Sequence, residues 1–166
     1  MTRIEVLIVA LIIGLMGVAS TVAVSTARSK TRDAIRLSDV RQLQAGLELY
    51  FNDYNVYPET SEVRALGQAS TQCLSENGFS PTCTPSIELV YLEAIATTPK
   101  QGLKKLSSCS DQSNAYCFAA INGEYRIQFE LENANPLLEL QKGINCATEG
   151  GLRGGTCPEF ITQTTE

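Results

Sequence analysis

Six cysteines (Cys73, Cys83, Cys109, Cys117, Cys146 and Cys157) and no histidine bound the chemistry open to this 166-residue chain. Without histidine there is no Ser-His or Cys-His pair to make a nucleophile. No phosphate-binding loop and no GxGxxG occurs, and the acidic residues are scattered. The chain therefore reads as a non-enzyme that needs no cofactor. Zinc sites use closely spaced cysteine pairs or cysteine with histidine, and neither pattern is present. Disulfides in an oxidising compartment account better for the cysteines. Six cysteines allow 15 pairings, so sequence alone leaves the connectivity open. Sequential pairing is expected, Cys73 with Cys83, Cys109 with Cys117 and Cys146 with Cys157, because each pair brackets a short loop-like stretch.

The other residue with chemical interest is Glu5, which stands directly before an uncharged run from Val6 to Val24. At about 1.5 Å per residue such a run spans roughly 28 Å, close to the hydrocarbon thickness of a bilayer. A core helix seldom stays apolar on every face for so long, so the run reads as a membrane-embedded segment. A carboxylate in such a setting needs a partner. The residues leave three options: the headgroup layer, Arg3, or a positive group on a neighbouring molecule. An ordinary secretory signal has a basic start and a shorter apolar stretch, so it fits less well, although Ala23–Ala27 could mimic a cleavage site.

These groups must be positioned by the elements around them. After the apolar run the helical period continues through Leu37, Val40, Leu43, Leu47, Tyr50 and Tyr54, which is an amphipathic stripe. No proline precedes Pro58, and Asn52, Asp53 and Asn55 are the first breakers. One helix from about Ile4 to Phe51 is expected, roughly 70 Å long. The basic residues Arg28, Lys30, Arg32, Arg36 and Arg41 on it read as a solvated or headgroup-facing segment. Residues 53–166 carry an acidic excess, which argues against general nucleic-acid binding. Residues 55–110 read mainly as loops punctuated by Pro81, Pro85 and Pro99, with a short helix capped by Ser86 and running through Leu92.

The strongest β signal is Tyr116–Ile121, then Asn122-Gly123, then Tyr125, Ile127, Phe129 and Leu131 alternating with Arg126, Gln128 and Glu130. It predicts a hairpin on a type I′ turn whose second strand has one buried and one wet face. The helix stripe is the natural cover for the buried face. The glycine-rich tail from Pro136 onward is expected to be mostly loop, tied by Cys146 and Cys157. The fold class is thus α+β: a long N-terminal helix with an apolar first half, packed on a small antiparallel sheet, with disulfide-tied loops. Three parts follow: 1–25 as the apolar helix half, 26–54 as the amphipathic half, and 55–166 as a globular head.

Met1-Thr2-Arg3-Ile4-Glu5-Val6-Leu7-Ile8-Val9, the stretch 34–43, Leu47-Glu48-Leu49-Tyr50 and Tyr57-Pro58 together resemble the type IV pilin and type II secretion pseudopilin family. The match is strong over residues 1–58 and weak but compatible beyond, where Tyr91-Leu92, Pro99, the hairpin and the Cys146/Cys157 pair sit as in similar subunits. Family members usually start with phenylalanine where this chain has Met1, and many carry a proline near the position of Val22. The sequence is read as a mature form whose basic leader has been removed. That leader would also reconcile the basic segment, which the positive-inside rule places in the cytoplasm, with a head outside.

The resemblance implies a structural subunit, a major pilin, of a filament that polymerises with itself through the N-terminal helix. It implies that Glu5 of one subunit meets the Met1 amine of its neighbour, and that the helix loses regularity near Gly14 and Gly17 on assembly. It implies insertion in the cytoplasmic membrane before assembly, processing by a prepilin peptidase, contact with an inner-membrane assembly machine, and an extracellular pilus afterwards. The alternatives are a major pseudopilin of a type II secretion system, or a low-copy tip subunit binding DNA or a surface. The former tends to hold calcium through C-terminal carboxylates, and residues 143–166 contain no aspartate.

Overall fold

The computed structural model describes residues 3–158 except Ser61, and within the helix it describes no side chains for residues 15–22. One helix, α1 (Arg3–Tyr54), runs for 52 residues, about 78 Å of axis. It stops where Asn55 takes a left-handed φ of 53° and donates its amide to the Phe51 carbonyl at 2.7 Å. Asparagine tolerates that conformation, which is why it ends the helix.

Among the described residues ten short strands follow: β1 (Arg64–Leu66), β2 (Cys73–Ser75), β3 (Gly78–Ser80), β4 (Val90–Leu92), β5 (Ser108–Cys109), β6 (Gln112–Ser113), β7 (Tyr116–Ile121), β8 (Glu124–Leu131), β9 (Gly143–Thr148) and β10 (Gly151–Gly154). Sheet order is β1-β7-β8-β9-β10 in the main antiparallel sheet, β3-β2-β4 in a second, and β5-β6 in a third. The β7–β8 turn has φ 56° at Asn122 and 80° at Gly123, as a type I′ hairpin requires. Ile121 faces Glu124 across it, so the expected hairpin forms in the expected register.

That register sorts the sheet into two faces. Phe118, Ile127 and Ala147 are aligned across three strands and join Tyr116, Tyr125, Phe129 and Leu131 in one buried core. Val40, Leu43 and Leu47 of the helix stripe belong to the same core, each at most 3 % exposed. Tyr57 stacks on Phe51 and meets Tyr125 edge-on, both at 4.7 Å, closing the core at the helix end. Gly46 completes the fit, because a Cβ there would lie 2.4 Å from the Leu92 side chain.

The opposite face of the sheet is not wet, contrary to the alternation of β8. Cys117, Gln128 and Cys146 are aligned on it, and Gln128 and Glu130 are buried. The loop that precedes β5 covers them. Glu130 accepts the amides of Lys104 at 2.6 Å and Leu106 at 2.9 Å, and Ser107 Oγ donates to the Ala115 carbonyl at 2.8 Å. A polar strand face can be buried when backbone amides satisfy it, and periodicity cannot see that cover.

Three further expectations are corrected. Residues 86–92 form a turn and then strand β4, not a helix. Thr84 opens the turn, with its carbonyl accepting from Ile87 at 2.9 Å and its amide donating to the Glu88 carboxylate at 2.8 Å. The segment 55–110 contains β1 to β5 rather than loops alone. Beyond Pro136 the chain forms β9 and β10: Gly143 and Gly151 sit at strand starts with φ 97° and 116°, and the residues after Gly143 pair with β8. Glycine supplies the turning points there, while Ile144, Cys146 and Thr148 supply strand formers.

Candidate functional site

The helix divides by exposure. Residues 3–14 and 23–28 are exposed, and from Ser29 onward the helix bonds to the head, Ser29 Oγ accepting from Asn133 Nδ2 at 3.2 Å. Ile4, Leu7, Leu11 and Ile13 are each between 66 % and 69 % exposed. Isolated exposed aliphatics are ordinary, but a helix half presenting them on every side marks an interaction surface. Glu5 lies in its first turn. Met1, its expected partner on a neighbour, lies outside the described residues. Gly14 has open space around it, while the surroundings of Gly17 lie outside the described side chains. Among the described residues no helix is long and apolar enough to cross a membrane, and the side chains of residues 15–22, in the middle of the Val6–Val24 run, are not described.

Where the head begins, four charged residues fasten it to the helix. Arg36 is fully buried. Its Nη1 donates to Asp33 Oδ1 at 2.8 Å and to Glu132 Oε1 at 2.9 Å. Its Nη2 donates to the Gln101 carbonyl at 2.6 Å, and Nε and Nη2 both reach the Pro99 carbonyl. Arg32 grips Glu132 with two parallel bonds, each 2.7 Å. Asp33 in turn accepts the backbone amides of Glu132 and Asn133 at 2.9 Å each. This is the fork geometry that makes arginine strong toward carboxylates. The Arg32 hydrogen bonds hold the Glu132 carboxyl below its ordinary range, aided by Arg36 and opposed by partial burial. Gly102 has φ 80° and backs onto this carboxylate, leaving no room for a side chain: a Cβ would fall 1.9 Å from Glu132 Oε2.

Further along, Tyr116 donates to Asp39 Oδ2 at 2.8 Å and Gln44 Nε2 donates to the Thr148 carbonyl at 2.7 Å. Burial pushes the Asp39 carboxyl up and pushes the Tyr116 phenol well above its usual value. At the far end Tyr57 donates to Glu48 at 3.2 Å, and burial pushes its phenol up to about 12.

The basic segment is therefore not uniformly solvated. Arg28, Lys30 and Arg41 are exposed, but Arg32 and Arg36 belong to the anchor. Glu132 lies a hundred residues from Arg32 and carried no local signal.

The three disulfides are Cys73–Cys83, Cys109–Cys117 and Cys146–Cys157, the sequential set, with Cα–Cα distances of 6.0, 5.9 and 5.2 Å. They tie β2 to the loop after β3, β5 to β7, and β9 to the segment after β10. Each closes a loop of about ten residues, worth on the order of 2.5–3 kcal/mol by chain entropy. No free cysteine is present, and among the described residues no group of acidic or cysteine side chains could hold a metal ion. Comparison with known proteins found no match, whether among protein-family models, curated proteins or solved structures.

Proposed function

We propose that the chain is a structural subunit, a major pilin, of a type IV pilus-like filament. The observation that carries this reading is one continuous helix with exposed aliphatic residues from Ile4 to Ile13 near one end and a disulfide-tied head clasping the other. A monomer in water has no use for a helix end with aliphatic residues uncovered on every side, whereas a polymer covers it with copies of itself. The residues carry no catalytic constellation, and the acidic head disfavours nucleic acid as a partner.

In this reading the N-terminal half of the helix first sits in the cytoplasmic membrane with the head outside, and then moves into the filament core. Glu5 there meets the Met1 amine of a neighbouring subunit, which neutralises both charges and sets the axial register. Gly14 and Gly17 each weaken the helix by roughly 1 kcal/mol relative to alanine, which favours local loss of helix between Gly14 and Ala23 on assembly. The prepilin peptidase and the inner-membrane assembly machine are the partners that the resemblance implies.

The test is electron microscopy of material sheared from the surface of cells producing the chain. Thin helical filaments that contain it support the reading. Its recovery only as a membrane-held or soluble monomer refutes it.

A further inference from the structure

Beside the anchor lies a shallow apolar groove of about 330 Å³. One wall is a helix stripe of Lys30, Ala34 and Leu37, and the other includes Leu131 and the 3₁₀ turn Pro136–Leu138. Leu137 stands on its rim with 95 % of its surface exposed, the highest value among the exposed large hydrophobic residues described. A leucine held in solvent by a turn beside an apolar groove stabilises nothing within its own chain.

The helix length identifies an occupant. The N-terminal part, residues 3–28, and the clasped part, residues 29–54, are the two halves of a 52-residue helix, 26 residues or about 39 Å each. Consider a second copy lying parallel and shifted by one half. Its head then starts level with position 55, immediately past the end of the first copy's helix, so the heads succeed one another along the axis. The same shift brings its Ile4, Ile8 and Leu11 level with Lys30, Ala34 and Leu37. Both sets follow the i, i+4, i+7 spacing of one helix face.

We infer that the groove bounded by Ala34, Leu37, Leu131, Pro136 and Leu137 is the seat for the N-terminal helix half of a second copy, staggered by about half a helix. The uncharged stretch Val6–Ile13 would lie along it. Two charged residues line the groove: Lys30 stands at its edge, and the Asp33 carboxylate is already engaged by Arg36 and backbone amides. Leu137 closes over the incoming helix. This inference rests on the filament reading and adds to it a specific contact between copies.

The experiment uses the full chain in cells that assemble it, with the photoreactive residue benzoylphenylalanine replacing Leu137. Crosslinked dimers whose junction maps to residues 4–12 of the other copy are expected. Leu137→Asp should lower filament yield about tenfold, since one buried leucine is worth roughly that factor. Leu137→Met should stay near wild type, and because the site is exposed both variants should keep the melting temperature of the head. Abundant filaments with crosslinks elsewhere, or a normal yield from Leu137→Asp, overturn the groove and leave the filament reading standing. Absence of any filament from the unsubstituted chain overturns both.

Discussion

Replacing Arg36 with leucine should loosen the head from the helix more than any other single charge change. The side chain has no solvent exposure and five donor contacts to Asp33, Glu132 and the carbonyls of Pro99 and Gln101. Leucine fills part of the volume but leaves two carbonyls and parts of two carboxylates without donors. Breaking a buried ion pair by removing one partner costs about 3–5 kcal/mol. Arg32 remains on Glu132 and limits the loss, so about 3 kcal/mol is the expected value. For a head of this size, with the helix half it clasps, that is a fall in melting temperature of roughly 8–15 °C. The chain has six tyrosines and no tryptophan, and Tyr57, Tyr116 and Tyr125 are buried in the core, so near-ultraviolet circular dichroism follows the head directly. Arg36→Lys keeps the charge but not the fork and should fall between wild type and Arg36→Leu. Exposed Arg28→Gln is the control, expected within about 0.5 kcal/mol of wild type. A fall of less than about 3 °C in Arg36→Leu would show that the cluster does not hold the head.

Further outcomes test the remaining arguments. Because Glu132 has a lowered carboxyl pKa in the fold, its contribution is present above the ordinary glutamate range and is lost as pH falls through the lowered value. Acid unfolding of Arg32→Gln should therefore show a shallower loss of stability below about pH 4.5 than wild type; identical acid limbs would exclude Glu132 as a source. Gly102→Ala should cost about 1–3 kcal/mol, because it strains a positive φ and displaces the gripped Glu132, and a neutral melting curve would contradict that. Non-reducing peptide mapping should return the sequential disulfides alone, and free thiols or other partners would count against the head as described. Glu5→Gln should leave head folding unchanged but reduce filament yield at equal subunit expression, with Arg3→Gln near normal; normal filaments from Glu5→Gln would make Glu5 an interfacial residue only.

Much of this architecture could be read from local pattern. The helix showed itself through an apolar run, a stripe at three- and four-residue steps and the absence of proline. The hairpin showed itself through Asn122-Gly123. What escaped was whatever depends on contacts between distant segments. Gln128 and Glu130 looked wet because alternation describes a strand's own pattern, and their cover is a loop more than twenty residues away, whose amides reach Glu130 and whose Ser107 Oγ donates to the Gln128 carbonyl. The strands after Gly143 looked like loop because glycine marks turning points without saying what pairs between them. Arg32 and Arg36 looked solvated because a charge on a helix is read that way by default, while Glu132 reaches them only through the fold. Glu5 was conspicuous for the opposite reason: its oddity is local, a carboxylate opening an apolar run.

Every cysteine lies beyond Tyr54, so none of the disulfides includes the helix. Under tension the crosslinks thus carry no load between the head and the helix. Force pulling the head along the helix axis passes through the noncovalent clasp, beginning at Arg32 and Arg36, and through the single covalent tether that leaves the helix at Asn55. Because Val40, Leu43 and Leu47 belong to the head's own core, parting the two opens that core, and the disulfides then hold only the loops they tie. Chemical reduction would act elsewhere, freeing the loops that Cys73–Cys83, Cys109–Cys117 and Cys146–Cys157 tie to the sheets.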